Sequence, residues 1–204
     1  MIDAAVRTDL PVAAGVGQIG SVRVFWRLID APDVARARIS SLAHETLGAL
    51  VTAQGLFDWR GLERADSLSK PHPVGAPDAE VSISHSARHI LVAACIGARV
   101  GVDVESAPFS AFDAPSLQRR MSTTAEAEAA ALQSRDERRA YLARVWTAKE
   151  AVAKATGAGL STDFRTLEVA ASVRAIPQPF EAHIAVLDDR GHAAIRRLTT
   201  EESS

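Results

Sequence analysis

A chain of 204 residues with 47% hydrophobic content can bury a sizeable core, as one domain or as two small halves, and its 5% aromatic content makes that core mostly aliphatic. The formal net charge of −2 argues against nucleic acid or an anionic membrane as a partner, so any basic site must be local. The single Cys95, inside the apolar run Ile90-Leu91-Val92-Ala93-Ala94-Cys95-Ile96, excludes an intramolecular disulfide and reads as a buried thiol. Asp3, Arg7 and Asp9 near the start do not resemble a secretory signal, and no apolar run approaches the roughly 18 residues of a membrane helix. A soluble, cytoplasmic protein is expected.

In chain order, Gly15-Val16-Gly17-Gln18-Ile19-Gly20 matches the G-x-G-x-x-G fingerprint of dinucleotide-binding folds. That fingerprint needs a strand before it and a helix starting within it, whereas here a strand-like run follows, so a flexible loop is expected instead. Residues 21–29 read as a strand. A helix is expected from Asp33 as cap to a C-terminal glycine at Gly55. Residues 56–68 are ambiguous, and 70–77 form a turn-rich extended connector. Strands follow at 80–84, 90–96 and 100–105, the last two joined as a hairpin across residues 97–99. A Pro- and Ser-containing loop leads to a helix beginning near Ser122 or Thr123, with Glu126 in capping-box position, and to a second helix over 136–156 ended by Gly157. Short strands are expected at 165–171, 181–187 and 192–198, with a turn at 188–191 and a frayed tail from 199. The fold class is α+β, with mostly antiparallel strands and a few long helices.

The residues that look built for chemistry are acidic. In Gly101-Val102-Asp103-Val104-Glu105, strand alternation sends Asp103 and Glu105 to one face and the two valines to the core. In Trp146-Thr147-Ala148-Lys149-Glu150, the helical repeat puts Trp146, Glu150 and Lys154 on one face. Singly, the first is an ordinary strand end and the second a solvated i,i+4 pair. Together, three carboxylates beside lysines suit Mg²⁺ carrying a phosphate ester. Ser82-Ile83-Ser84-His85-Ser86 could cradle a phosphate at a strand end, but Ser84 and His85 point to opposite faces and do not form a nucleophile pair. The histidines at 44, 72, 89, 183 and 192 have no zinc-ligand spacing. Arg119, Arg120, Arg135, Arg138 and Arg139 read as solvated helix faces that could meet an acidic protein.

Ile83-Ser84-His85-Ser86, Gly101-Val102-Asp103-Val104-Glu105, and Trp146-Thr147-Ala148-Lys149-Glu150 with Lys154 and Gly157-Ala158-Gly159-Leu160 resemble, in order and spacing, the surfactin-type 4′-phosphopantetheinyl transferases. The likeness runs from about Lys70 to Leu160. It implies Mg²⁺-dependent transfer of the phosphopantetheine arm of coenzyme A to a serine of an apo acyl or peptidyl carrier protein, releasing adenosine 3′,5′-bisphosphate. It also implies two similar α/β halves related by a pseudo-twofold axis, residues 1–98 and 99–204, with the active site in the cleft between them. The chain would act as a monomer.

By the same resemblance Asp103, Glu105 and Glu150 are metal ligands and Glu150 is also the general base. Lys154 faces the phosphates. Lys70, Ser84 and His85 contact the coenzyme, and Glu126 is an acidic position near the metal. One departure stands out: relatives often carry arginine in the first helix to hold the 3′-phosphate, and this chain has Glu45 there, with Arg36 and Arg38 as substitutes. The competing readings are a transferase-like carrier-binding protein with weak turnover and a metal-dependent phosphoesterase.

Overall fold

The structure, a computed structural model, describes residues 11–32, 34–66, 69–169, 178–187 and 191–199. Its first sheet is ordered β1-β2-β6-β5, from β1 (Pro11–Ile19), β2 (Val22–Asp30), β5 (Ala79–Ser86) and β6 (His89–Ile96), all neighbours antiparallel. A second sheet, also antiparallel, is ordered β7-β8-β9, from β7 (Arg99–Ser106), β8 (Phe180–Leu187) and β9 (Ala193–Arg197). Two short strands, β3 (Leu62–Glu63) and β4 (His72–Pro73), pair in the stretch that precedes β5.

Period-two alternation places the sheets. Leu91, Ala93 and Cys95 of β6 join Val100, Val102 and Val104 of β7 and Phe180, Ala182, Ile184 and Val186 of β8 in one buried cluster, so the sheets pack on each other. The alternate residues of β6, Ile90, Val92 and Ala94, face helix α1 (Arg36–Gln54) through Leu42, Leu47 and Val51. On the far side of the second sheet, Ala151, Val152 and Ala155 of α4 (Arg135–Thr156) pack on Ala185 and Leu187 of β8. Helix, sheet, sheet and helix therefore form successive layers, a mixed α/β architecture with antiparallel sheets. Cys95 is buried, as expected, and burial pushes its thiol up to about 12.

Several sequence-based expectations need correcting. The glycines at 15 and 17 lie in β1, which pairs with β2, rather than in a loop. A Cβ at Gly15 would come within 2.8 Å of the Trp26 ring, so the glycine makes room for a core tryptophan. No helix follows, so the dinucleotide fingerprint lacks its required context.

Residues 97–99 do not close a hairpin within one sheet. Strand β6 is already paired on both sides, by β2 and β5, and β7 crosses to the other sheet. Helix α1 starts after Ala35 with no side-chain cap, and Asp33 lies outside the described residues; Gly55, at φ +58°, ends the helix as expected. The segment read as loop contains α2 (Pro115–Met121), too short for a periodic signal but opened by Pro at its first turn and anchored by buried Met121. Helix α3 (Thr124–Ala131) carries the expected capping box between Thr123 and Glu126. Residues 165–169 form a turn and irregular chain, not a strand, and 170–171, the turn at 188–190 and the tail from 200 lie outside the described residues.

Candidate active site

The site forms where β7 meets α4. A Cβ built on Gly101 would lie 1.9 Å from the Ala151 carbonyl oxygen and 2.4 Å from the Ala155 nitrogen, so only glycine lets helix and strand approach this closely. That approach sets the next two outward residues of β7, Asp103 and Glu105, beside the α4 face carrying Trp146, Glu150 and Lys154. Lys154 Nζ donates to Asp103 Oδ1 at 2.6 Å, reaching across to the strand rather than along its own helix to Glu150. Ser84 Oγ donates to the same oxygen at 2.7 Å, and Ser86 Oγ donates to Glu105 Oε2 at 2.6 Å.

All three carboxylates and Lys154 line one cavity of about 560 Å³. Its other wall comes from α1, the chain between α1 and β5, and β5: Ser40, His44, Arg64, Lys70, Ser84 and His85. The acids come from β7 and α4, and the lining also carries Lys154, Lys70, Arg64 and the hydroxyls of Ser40 and Ser84. Burial raises the Glu150 carboxyl above the ordinary carboxylate range, and the charges of Asp103 and Glu105 push it further. Burial likewise raises Glu105, with Asp103 adding to the effect and Ser86 and Lys154 opposing it.

The structure thus brings together seven of the ten site residues that the resemblance implies: Asp103, Glu105, Glu150, Lys154, Lys70, Ser84 and His85. Arg36 and Arg38 are not on the cavity wall; both are exposed, and Arg38 lies 3.9 Å from Glu45. Ser40 and His44 take that place. They are an i,i+4 pair sharing one helix face, while Glu45 is turned a further ~100° around the helix, so its charge is directed to solvent. Helical spacing alone could have separated His44 from Glu45. Arg64, by contrast, lies in an irregular segment with no sequence signal.

Two side chains have other duties than expected. Lys70 lines the cavity, but its ammonium is tied to Glu80 and donates to the Val100 carbonyl at 2.8 Å, and burial lowers its pKa. Glu126 is not on the cavity wall. It caps α3 and accepts from the fully buried Lys149 at 2.5 Å, while Lys149 also donates to the carbonyls of Met121 and Phe164. The capping-box spacing already offered Glu126 this structural role.

Among the described residues, no group of three or more His, Cys, Asp or Glu side chains is arranged to hold a metal ion by itself. Ser84 and Lys154 occupy Asp103 Oδ1, and Ser86 occupies one Glu105 oxygen. The donor set still fits a divalent cation. Asp103 Oδ2 is buried and makes no hydrogen bond, an orphaned acceptor at the cavity wall. Mg²⁺ also commonly takes only one or two protein carboxylates and completes its shell with water and phosphate.

Residues 99–199 match the 4′-phosphopantetheinyl transferase superfamily. The matched segment starts at the first residue of β7 and contains Asp103, Glu105, Glu150 and Lys154. It leaves out the cavity wall built from α1, the chain between α1 and β5, and β5. Searched against curated proteins, the chain finds no match. A match to this superfamily supports a transferase type for the segment and implies phosphopantetheine transfer in general. Among the described residues, no helix is long and apolar enough to cross a membrane.

Proposed function

We propose that this protein is a surfactin-type 4′-phosphopantetheinyl transferase, a holo-carrier-protein synthase. It transfers the arm of coenzyme A to a serine of an apo acyl or peptidyl carrier protein and releases adenosine 3′,5′-bisphosphate. The observation that carries this reading is the single cavity in which Asp103, Glu105, Glu150 and Lys154 of the family-matched segment face Lys70, Ser84 and His85. The segments 1–98 and 99–204 would be the two halves of the family fold, with this cavity as the cleft between them. A cytoplasmic monomer is part of the same reading.

Asp103, Glu105 and Glu150 would hold Mg²⁺, with Asp103 Oδ2 free to serve as a ligand. When bound, the cation would offset charge on the diphosphate of coenzyme A. Glu150 lines the cavity with Asp103 and Glu105, where its carboxylate can accept the proton of the carrier serine. The serine oxygen forms a bond to the phosphorus of the pantetheine phosphate. The bond from that phosphorus to the bridging oxygen breaks, and adenosine 3′,5′-bisphosphate leaves with that oxygen. Lys154 stands beside Asp103, where its ammonium can stabilise charge developing on the leaving phosphate. Ser84, His85, Lys70 and His44 line the wall suited to the nucleotide.

The case for a catalytically weak carrier-binding protein rested on Glu45, and that carboxylate is not on the cavity wall. Incubation with coenzyme A, Mg²⁺ and several apo carrier proteins, followed by mass measurement of each carrier, tests the proposal. A phosphopantetheine mass increment is expected on at least one carrier. Unmodified carriers throughout would overturn it, and coenzyme A cleavage without any carrier would establish a phosphoesterase instead.

A further inference from the structure

Serine is an unusual residue for the core-facing side of a sheet, because a buried hydroxyl costs stability unless it is hydrogen-bonded. Ser82, Ser84 and Ser86 of β5 stand opposite Ala93, Leu91 and His89 of β6, and so share the face that meets the second sheet. What they meet there is backbone. Ser82 Oγ accepts from the Val102 amide at 3.0 Å, and Ser84 and Ser86 accept from the Val104 and Ser106 amides, each at 3.4 Å. These are alternate amides of β7, whose other edge is paired with β8. The two sheets thus meet at β5 and β7 through side chains, residue for residue at period two, where strand pairing would otherwise be needed.

Two of these hydroxyls do a second thing. Each has one proton to donate after accepting from an amide. Ser84 gives its proton to Asp103 Oδ1, and Ser86 gives its to Glu105 Oε2. Asp103 is also held by Lys154, whereas the hydrogen bond to Glu105 comes from Ser86. Ser86 is itself fixed: its carbonyl accepts from Ser106 Oγ at 2.5 Å, and that oxygen lies 2.8 Å from His89 Nδ1.

We infer that Ser82, Ser84 and Ser86 form a side-chain hydrogen-bond ladder that sets the register between the two sheets, and that Ser86 is a positioning residue for Glu105. The second part rests on the transferase reading. The ladder explains why the acids of β7, which belong to one sheet, are oriented by a strand of the other.

The test combines amide hydrogen exchange by NMR with transfer kinetics on the wild type and on Ser82→Ala, Ser86→Ala and Ser86→Thr. Protection of the Val102 amide should fall about tenfold in Ser82→Ala, and that of the Ser106 amide about tenfold in Ser86→Ala. Ser86→Ala should also lower kcat about tenfold with the KM for coenzyme A unchanged, and Ser86→Thr should restore both protection and kcat. Unchanged protection in both alanine variants would overturn the ladder. Lost protection with kcat intact, or failure of threonine to rescue, would overturn the positioning role. A wild type that modifies no carrier would remove the transferase reading and the positioning role with it, while the exchange pattern would still decide the ladder.

Discussion

Lys149 and Lys154 lie five residues apart on one helix, and their surroundings are opposite. Lys149 has no exposed side-chain surface and three partners, Glu126 and the carbonyls of Met121 and Phe164, which tie α4 to α2, α3 and the segment after α4. Lys154 keeps 29% of its side chain exposed and faces a cavity, with Asp103 as its partner. The first lysine is enclosed by protein atoms and has nothing left to offer a ligand. The second is held at one point and open elsewhere. A short stretch of helix thus separates a charge used for stability from one placed for chemistry, and the difference lies in what the other elements bring to each face.

The comparison breaks most visibly at Lys149. Lys149→Ala leaves the buried Glu126 carboxylate without its cation and should cost roughly 3–5 kcal/mol in denaturant unfolding. A loss below about 1 kcal/mol would mean that the pair does not hold the helices. Lys154→Ala should do the reverse, lowering transfer by roughly 10²–10³ while costing less stability than Lys149→Ala, because Ser84 still donates to Asp103. Equal losses of stability in the two variants would erase the distinction.

Gly101→Ala attacks the contact that brings Lys154 to Asp103. Its Cβ would meet the Ala151 carbonyl at 1.9 Å, so α4 must shift. A cost of about 1–3 kcal/mol is expected, with transfer falling further than stability predicts. Full activity in this variant would show that the close approach is dispensable.

The last expected effect concerns pH and a buried histidine that meets α4. His183 of β8 lies 2.8 Å from Thr147 Oγ1 of α4, and burial, with the charges of Arg197 and Arg144, lowers its pKa to about 3. Because the folded value lies below the unfolded value of 6.5, neutral His183 contributes stability above pH 6.5 that is lost as pH falls towards 3. The melting temperature of the wild type should therefore drop more steeply across that window than that of His183→Asn. Parallel curves would exclude the histidine as the cause.

Much of the site was legible because its logic is local. Strand alternation separated Asp103 and Glu105 from Val102 and Val104, and helical spacing grouped Trp146, Glu150 and Lys154. The caps at Gly55, Thr123 and Gly157 were legible for the same reason. For Glu126, the capping box announced by its own spacing is the role that the structure shows. The hairpin across 97–99 failed differently: short glycine loops often join paired strands, and nothing in that segment reveals that β6 already has two partners.

The amino-acid order by itself determined which side chains share a face of a strand or helix, since these periods follow from backbone geometry within a few residues. Only the tertiary structure decided which faces meet: that Gly101 admits α4, that His44 rather than Arg36 or Arg38 borders the cavity, and that serines of one sheet grip the acids of the other. Those contacts join residues far apart in sequence, and the packing of whole layers, not any local pattern, selects them.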